Sequence, residues 1–212
     1  MTTIAVVDYG MGNLRSVSKA IEHVAPAARV VVTSDRATVE RAERVVFPGQ
    51  GAMPDCAREL ERADLRAAVL AAARAKPLLG ICIGAQMLFD WSAEGDTAGL
   101  GIFRGKVVRF PPDRLRAAPG GALKVPHMGW NRVRQTAAHP LWRGIDDGER
   151  FYFCHSYFFA PEEPGLGCGE SEHGLPFTCA AARDNIFAVQ FHPEKSHSAG
   201  LQLLANFVSW NP

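Results

Sequence analysis

The first half of the chain alternates short apolar runs with segments of helical character. TIAVVDYG, from Thr3, reads as a buried strand ending in a glycine turn. The stretch after it sets Leu14, Val17, Ile21 and Val24 at steps of three and four, one face of a helix. RVVVTS and RVVFPGQG read as second and third strands, the third stopped by Pro48 and Gly49. Residues 54–75, rich in Ala, Arg and Glu, read as one long helix. PLLGIC, residues 77–82, is apolar throughout, as in a strand covered on both faces. Strands alternating with helices imply βαβ units with right-handed crossovers, hence an α/β fold built on an open, mostly parallel sheet flanked by helices.

The second half changes character. GIFRGKVVRF, FYFCHSYFF, PFTCAAA and IFAVQFHPE read as strands added to the sheet in antiparallel or mixed fashion. PPDRLRAAPGGALK, residues 111–124, reads as a mobile loop, and VPHMGWN after it is too rich in Pro and Gly for a regular element. SAGLQLLANFVSW reads as a closing helix, with Leu201, Leu204 and Val208 on one side and a serine free to cap it. No linker divides the sequence, so residues 1–212 are expected to form a single domain.

A net charge of +1 gives no electrostatic ground for a nucleic-acid or anionic-membrane partner. No apolar run is long enough to cross a bilayer, and no signal peptide is evident in MTTIAVVDYG. A cytoplasmic location is expected. Five cysteines, with no C-x-x-C pair, suit neither a disulfide framework nor a cysteine zinc site. No metal or cofactor is expected. GMGN lacks the Gly-Lys-Ser/Thr of a phosphate loop. His127, His139, His173 and His197 show no ligand spacing and are expected at the surface or in loops.

One cysteine stands apart. Cys82 lies between Gly80 and Gly84 where a buried strand turns into a helix. A residue on such a turn projects at the carboxyl end of the sheet, with backbone N–H groups following it. A helix N-terminus also lowers a thiol pKa from its usual value of about 8.5. A thiol nucleophile needs a base, and the base needs an orienting partner. AVQFHPEKS supplies His192 and Glu194, which share a face if the segment is extended. His155 beside Cys154 is a poorer pair, because strand neighbours point to opposite faces. In FPGQGAM, Gly49 and Gly51 flank Gln50 and let backbone N–H groups approach a ligand. Gln50 and Ile83 are then the backbone donors of an oxyanion hole.

FPGQGAM, LLGICIGAQMLFD and AVQFHPEKS, in this order, resemble the class I triad glutamine amidotransferases, whose sheet is flavodoxin-like. VVDYGMGNLRSV, KVPHMGWN and FYFCHSYFF sharpen the resemblance to the glutaminase subunits of imidazole glycerol phosphate synthase, from about Ile4 to the C-terminal helix. Subunits serving pyridoxal phosphate synthesis usually carry Gly-Gly-Glu-Ser where this chain has PGQGAM. Gln50 replaces a commonly small apolar residue, and Ile83 and Ala85 replace Leu and Met. The resemblance implies that Cys82 attacks the side-chain amide of glutamine, that His192 protonates the departing ammonia, and that Glu194 orients His192. It places the substrate against Gly49, Gly51, Gln86, His155, Ser156 and Tyr157. It also implies a partner, a separate (β/α)₈-barrel cyclase that receives the ammonia and makes imidazole glycerol phosphate and an aminoimidazole carboxamide ribonucleotide. Asn13, Pro126, His127, Met128, Trp130 and Lys195 are the expected partner face. The paired glycines would let the Gly49–Gln50 peptide flip, leaving the hole incomplete until the partner and its nucleotide bind. The alternatives are a small cysteine peptidase of related architecture and a silent regulatory subunit; the first lacks a reason for PGQGAM and HPE, the second for an intact Cys82, His192 and Glu194.

Overall fold

A computed structural model describes residues 1–116, 118 and 121–212; Ala117, Pro119 and Gly120 of the expected 111–124 loop lie outside them. The strands β1 (Thr3–Val7), β2 (Arg29–Thr33), β3 (Arg44–Gly49) and β4 (Leu78–Cys82) run parallel in the order β2-β1-β3-β4. The strand Ile186–Val189 adds to β4, also parallel. β3, β4 and this strand are buried along their whole length, because helices cover both faces. The sheet then continues with antiparallel strands, Pro176–Arg183, Tyr157–Pro161 and Phe103–Arg109. Among the described residues this sheet has twelve strands. The α/β architecture read from the sequence is the one present.

Helix α1 (Leu14–Val24) buries Val17 and Ile21 as its spacing required. Helix α2 (Arg36–Arg41) was not foreseen; Asp35 caps it, accepting from Thr38 N at 2.9 Å. The expected single helix over 54–75 is two, α3 (Met53–Arg62) and α4 (Arg66–Ala75). Asp64 breaks it at φ +54°, and Leu65 N bonds back to Leu60 O at 3.2 Å. That six-to-one bond with a left-handed residue inside it is a Schellman stop, and the buried Leu60 and Leu65 seal it. Helix formers alone cannot reveal such a break.

Four further expectations are corrected. β3 runs through Pro48 to Gly49, since the end of a strand needs no donor from proline. VPHMGWN is regular: His127–Arg132 forms a strand antiparallel to Arg150–His155, in a second, two-stranded sheet. Gly129 takes φ +132° within it, and Pro126 precedes the first ladder position. FYFCHSYFF is not one strand. It breaks at Ser156, so that His155 ends the small sheet and Tyr157 begins a strand of the main one. A short helix, α6 (Pro112–Arg116), opens the 111–124 segment.

After the elbow helix α5 (Ile83–Gln86) the closing helix is α7 (His197–Ser209), which packs beside α1. It buries Gly200, Leu203, Leu204 and Phe207, so of the three residues expected only Leu204 is fully covered. Ser196 stands at its N-cap but uses its hydroxyl elsewhere. Among the described residues no helix is long and apolar enough to cross a membrane.

Candidate active site

Parallel strands bring their carboxyl ends to one edge, where open α/β sheets hold their sites. In the register of β3 and β4, Gly49 lies opposite Cys82. Val189, which precedes the His192 segment, lies opposite Ile81. Three sequence-distant motifs therefore meet at one point of the sheet.

Cys82 turns the corner at φ +54°, ψ −114°, a conformation costly for a residue with a side chain. The two glycines explain why the corner can be this tight. A Cβ on Gly84 would overlap the Phe47 carbonyl oxygen, and one on Gly80 would stand 3.0 Å from Ala85 Cα. α5 thus sits directly on β3 and folds back over β4. The helix has four residues, so its dipole has little to offer the sulfur, contrary to expectation. The neighbours that can act on the sulfur are side chains. Gln190 Nε2 donates to Cys82 Sγ at 3.8 Å, and His192 lies against the same sulfur.

His192 Nδ1 donates to Glu194 Oε1 at 2.9 Å, which leaves Nε2 for the thiol. The alternation of a strand does not produce this pair. Extended chain stops at His192, and Pro193–Lys195 winds as a 3₁₀ turn that brings Glu194 under the ring. Both side chains are almost fully enclosed. Burial works against the imidazolium, but the Cys82 sulfur and the Glu194 carboxylate outweigh it and hold His192 well above its ordinary pKa.

The cavity at this corner measures about 290 Å³. Gln50, Gly51, Cys82, Ile83, Gln86 and His192 line it, as do His155, Ser156, Tyr157, Pro126 and Lys195. Gly49 is buried behind them and packs closely against the elbow: a Cβ there would reach 2.5 Å from Tyr9 Oη and 2.6 Å from Gly84 N. Gln86 donates from Nε2 to Gln190 Oε1 (2.9 Å) and to the Tyr157 carbonyl (3.2 Å), while its buried Oε1 has no partner among the described residues. Gln190, two positions before His192, escaped the sequence reading; a polar residue inside an apolar strand end was the available signal. Cys154 and Glu94 also reach the cavity.

His127 is misplaced by the sequence reading. It is buried, with Nδ1 2.9 Å from His155 Nε2, and its ring stacks on that of His173. His155 Nδ1 donates to the Tyr157 carbonyl at 2.7 Å, so His155 Nε2 accepts from His127, whose Nε2 accepts from Asn131 Nδ2 at 3.1 Å. Burial, and then the neighbouring imidazoles, push His127 down to about 3; burial does the same to His155. His127 therefore supports the backbone of the pocket from inside and does not face outward. The other expected partner residues form one neighbourhood. Met128 and Trp130 are exposed, Trp130 stacks on His197 and stands edge-on to Tyr152, Lys195 Nζ lies 5.9 Å over the Tyr152 ring, and Asn13 Nδ2 bonds Glu194 Oε1 at 3.4 Å.

Known proteins resemble this chain along nearly its whole length. The glutamine amidotransferase class-I family model matches residues 5–210. The imidazole glycerol phosphate synthase subunit HisH of Aromatoleum aromaticum is 65% identical over 212 residues, covering 100% of both chains. The protein of the same description from Thiobacillus denitrificans is 66% identical, covering 99% of this chain and 92% of its own. In fold, a glutamine amidotransferase crystal structure superposes with a TM-score of 0.70 at 16% identity, covering 97% of each chain. A glutamine amidotransferase from Thermotoga maritima gives 0.64 at 14% identity, covering 98% of this chain and 96% of that one. The chain belongs to the class-I glutamine amidotransferase family, and within it to the HisH subunits of imidazole glycerol phosphate synthase.

Proposed function

We propose that Cys82, His192 and Glu194 are the triad with which this chain hydrolyses glutamine, and that the ammonia passes to a separate cyclase subunit in histidine biosynthesis. The observation that carries the assignment is the 2.9 Å bond from His192 Nδ1 to Glu194 Oε1, made beside a cysteine held at φ +54°. The Cys82 thiolate attacks the side-chain carbonyl carbon of glutamine. The backbone N–H groups of Ile83 and Gln50 receive the oxyanion. The C–N bond then breaks as His192 Nε2 gives its proton to the leaving nitrogen, releasing ammonia and a glutamyl thioester. Water, deprotonated by His192, attacks the thioester carbon, and the C–S bond breaks to release glutamate and regenerate the thiolate. The orphaned Gln86 Oε1 is placed to accept from an N–H of the substrate, and His155, Ser156 and Tyr157 line the same cavity.

The relatives are named as subunits, and the ammonia acceptor belongs to the cyclase, which meets this chain over Asn13, Pro126, Met128, Trp130 and Lys195. The twelve-stranded sheet supports reading residues 1–212 as one domain, and the work of such a biosynthetic protein is cytoplasmic. The test is glutamate release from glutamine by this chain, alone and with a barrel cyclase and its nucleotide ligand. Strong activation by the partner, lost in Cys82→Ala, is the expected result. A chain that associates with the cyclase yet releases no glutamate in either condition would be catalytically silent; activity persisting in Cys82→Ala would remove the cysteine from the reaction.

A further inference from the structure

Two buried glutamines connect the wall of the cavity to the cysteine sulfur. Gln86 and Gln190 are almost fully enclosed. A side-chain amide can be turned either way, so its hydrogen bonds decide which end faces which neighbour. The Tyr157 carbonyl can only accept, and it already takes the His155 Nδ1 proton at 2.7 Å. Gln86 must therefore present its nitrogen there, at 3.2 Å. The second N–H of that nitrogen goes to Gln190 Oε1 at 2.9 Å. With its oxygen turned to Gln86, Gln190 has its own Nε2 left for Cys82 Sγ, at 3.8 Å. One backbone carbonyl thus orients both amides. It leaves Gln86 Oε1 without a partner among the described residues and lays an N–H of Gln190 on the sulfur. The backbone of Gln190 is held as well, its N–H donating to the Cys179 carbonyl at 2.8 Å. The triad explains none of these contacts.

We infer that Gln190 is a further catalytic residue, whose Nε2–H meets the negative charge that gathers on Cys82 Sγ as the glutamyl thioester breaks down. This rests on the reading of Cys82 as the nucleophile. In that step water adds to the thioester carbon, the C–S bond breaks, and its electron pair goes to sulfur. A donor already aimed at the sulfur stabilises the charge as it forms. In the attack on glutamine the same bond stabilises the starting thiolate, so Gln190 favours release of the thiolate over attack by it. Through its oxygen Gln190 also keeps Gln86 Oε1 turned away from Tyr157 and free for the substrate.

The test uses the complex with the cyclase and its nucleotide ligand, and compares Gln190→Met, Gln190→Leu, Gln86→Met and Cys82→Ala with the unaltered chain. Methionine keeps the length of glutamine and loses both polar ends; leucine repeats the loss with a different shape, so the result does not hang on one packing solution. Two quantities are read: kcat and KM for glutamate release, and the fraction of Cys82 carrying a glutamyl group at steady state, measured by intact-mass spectrometry after an acid quench. Losing a hydrogen bond to a charged group corresponds to about a 10- to 150-fold fall in the rate of a step. We expect kcat to fall at least about 10-fold in the two Gln190 variants, with the thioester accumulating on both. Gln86→Met, which keeps the donor at the sulfur, should raise KM without that accumulation. Loosened packing alone would not trap a thioester. A kcat within about twofold of normal in the Gln190 variants, with Cys82→Ala inactive, would overturn the role and leave the triad standing. So would a lower kcat with no more thioester than in the unaltered chain, or equal accumulation in Gln86→Met. Activity in Cys82→Ala would instead bring down the reading of the site itself.

Discussion

His192 and Glu194 are joined side chain to side chain at 2.9 Å although only Pro193 separates them. The backbone is arranged around that contact. Ser196 Oγ donates to the His192 carbonyl at 2.6 Å and accepts from Tyr152 N at 3.0 Å, and His192 N bonds the Tyr152 carbonyl at 2.9 Å. The serine at the helix N-cap position is a clamp on the turn that joins His192 to Glu194. Glu194→Gln keeps the volume and removes the charge that stabilises imidazolium. General acid–base assistance is worth about 10²- to 10⁴-fold, so kcat for glutamine hydrolysis should fall at least ~100-fold with little change in KM. Steady-state kinetics of the complex decide it; a Glu194→Gln chain within about tenfold of normal kcat would rule out the orienting role.

Removing the clamp should act more mildly. Ser196→Ala leaves the half-buried Tyr152 N–H without its partner, which typically costs about 1 kcal/mol. A lowered denaturation midpoint together with a lower kcat is expected, since the turn that carries Glu194 loosens. A variant with normal stability and normal kcat would show that Pro193 alone holds the turn.

The glycines of the elbow make a sharper prediction. A Cβ at position 84 would collide with backbone, the Phe47 carbonyl, which cannot rotate away as a side chain could. Gly84→Ala must therefore lift α5 off β3 and pull Cys82 from its φ of +54°. Overpacking of this kind typically costs about 1–3 kcal/mol, and glutaminase activity should be lost. Chemical denaturation and glutamate release check the two halves; full activity in Gly84→Ala would mean the elbow is not rigid.

The legibility of this protein in its sequence follows from how local each cause is. The parallel half could be read because β3 and β4 are apolar along their length and α1 keeps a strict helical spacing. Cys82 could be read because only a tight, crowded corner calls for Gly80 and Gly84. The pairing of His192 with Glu194 was foreseen, but for the wrong reason: a period of two would require a strand, and the contact comes from a 3₁₀ turn. The break at Asp64 was hidden because helix propensity is a sum over a window, whereas a Schellman stop depends on one residue's φ. His127 could not be placed, and the polar signal at Gln190 could not be interpreted, because their partners, His155 and Gln86, are distant in sequence. Polar residues inside an apolar pattern carry meaning only once the fold says what they meet.

Buried imidazoles make stability depend on pH. His127 and His155 are pushed down to about 3, and His139, half-buried with its Nδ1 accepting from Leu141 N, to about 4. Between those values and about 6.5 the unfolded chain binds protons that the folded chain does not, so stability falls as pH falls through this window. Each such group contributes at most about 1.4 kcal/mol per pH unit below 6.5. His192 acts oppositely: its pKa is raised, so its contribution is complete below about 6.5 and is lost only as pH rises through its higher folded value. The thermal midpoint should thus drop steeply between about pH 6.5 and 4.5. A flat profile there would mean that the His127–His155 pair opens to water.

The partner face can be tested apart from the chemistry. In the strand His127–Arg132, alternation sends His127 inward and Met128 and Trp130 outward, where they are 61% and 42% exposed. Trp130 is not loose: it lies parallel to His197 at 4.8 Å, and Tyr152 braces it from the side. A large apolar side chain held between neighbouring rings on an exposed face is the kind of anchor that dominates interface energies. Trp130→Ala should weaken association with the cyclase by about 2 kcal/mol or more, some 30-fold in Kd, and Met128→Ala by less. Val32 is 41% exposed on the edge strand β2, far along the sheet from the triad, and provides the control. Val32→Ala should leave Kd unchanged. Titration calorimetry of the three variants against the cyclase gives the answer: equal affinities for Trp130→Ala and Val32→Ala would move the interface away from this strand, whereas a loss confined to positions 128 and 130 would place the ammonia acceptor directly over the small sheet that shares Tyr152 with the triad turn.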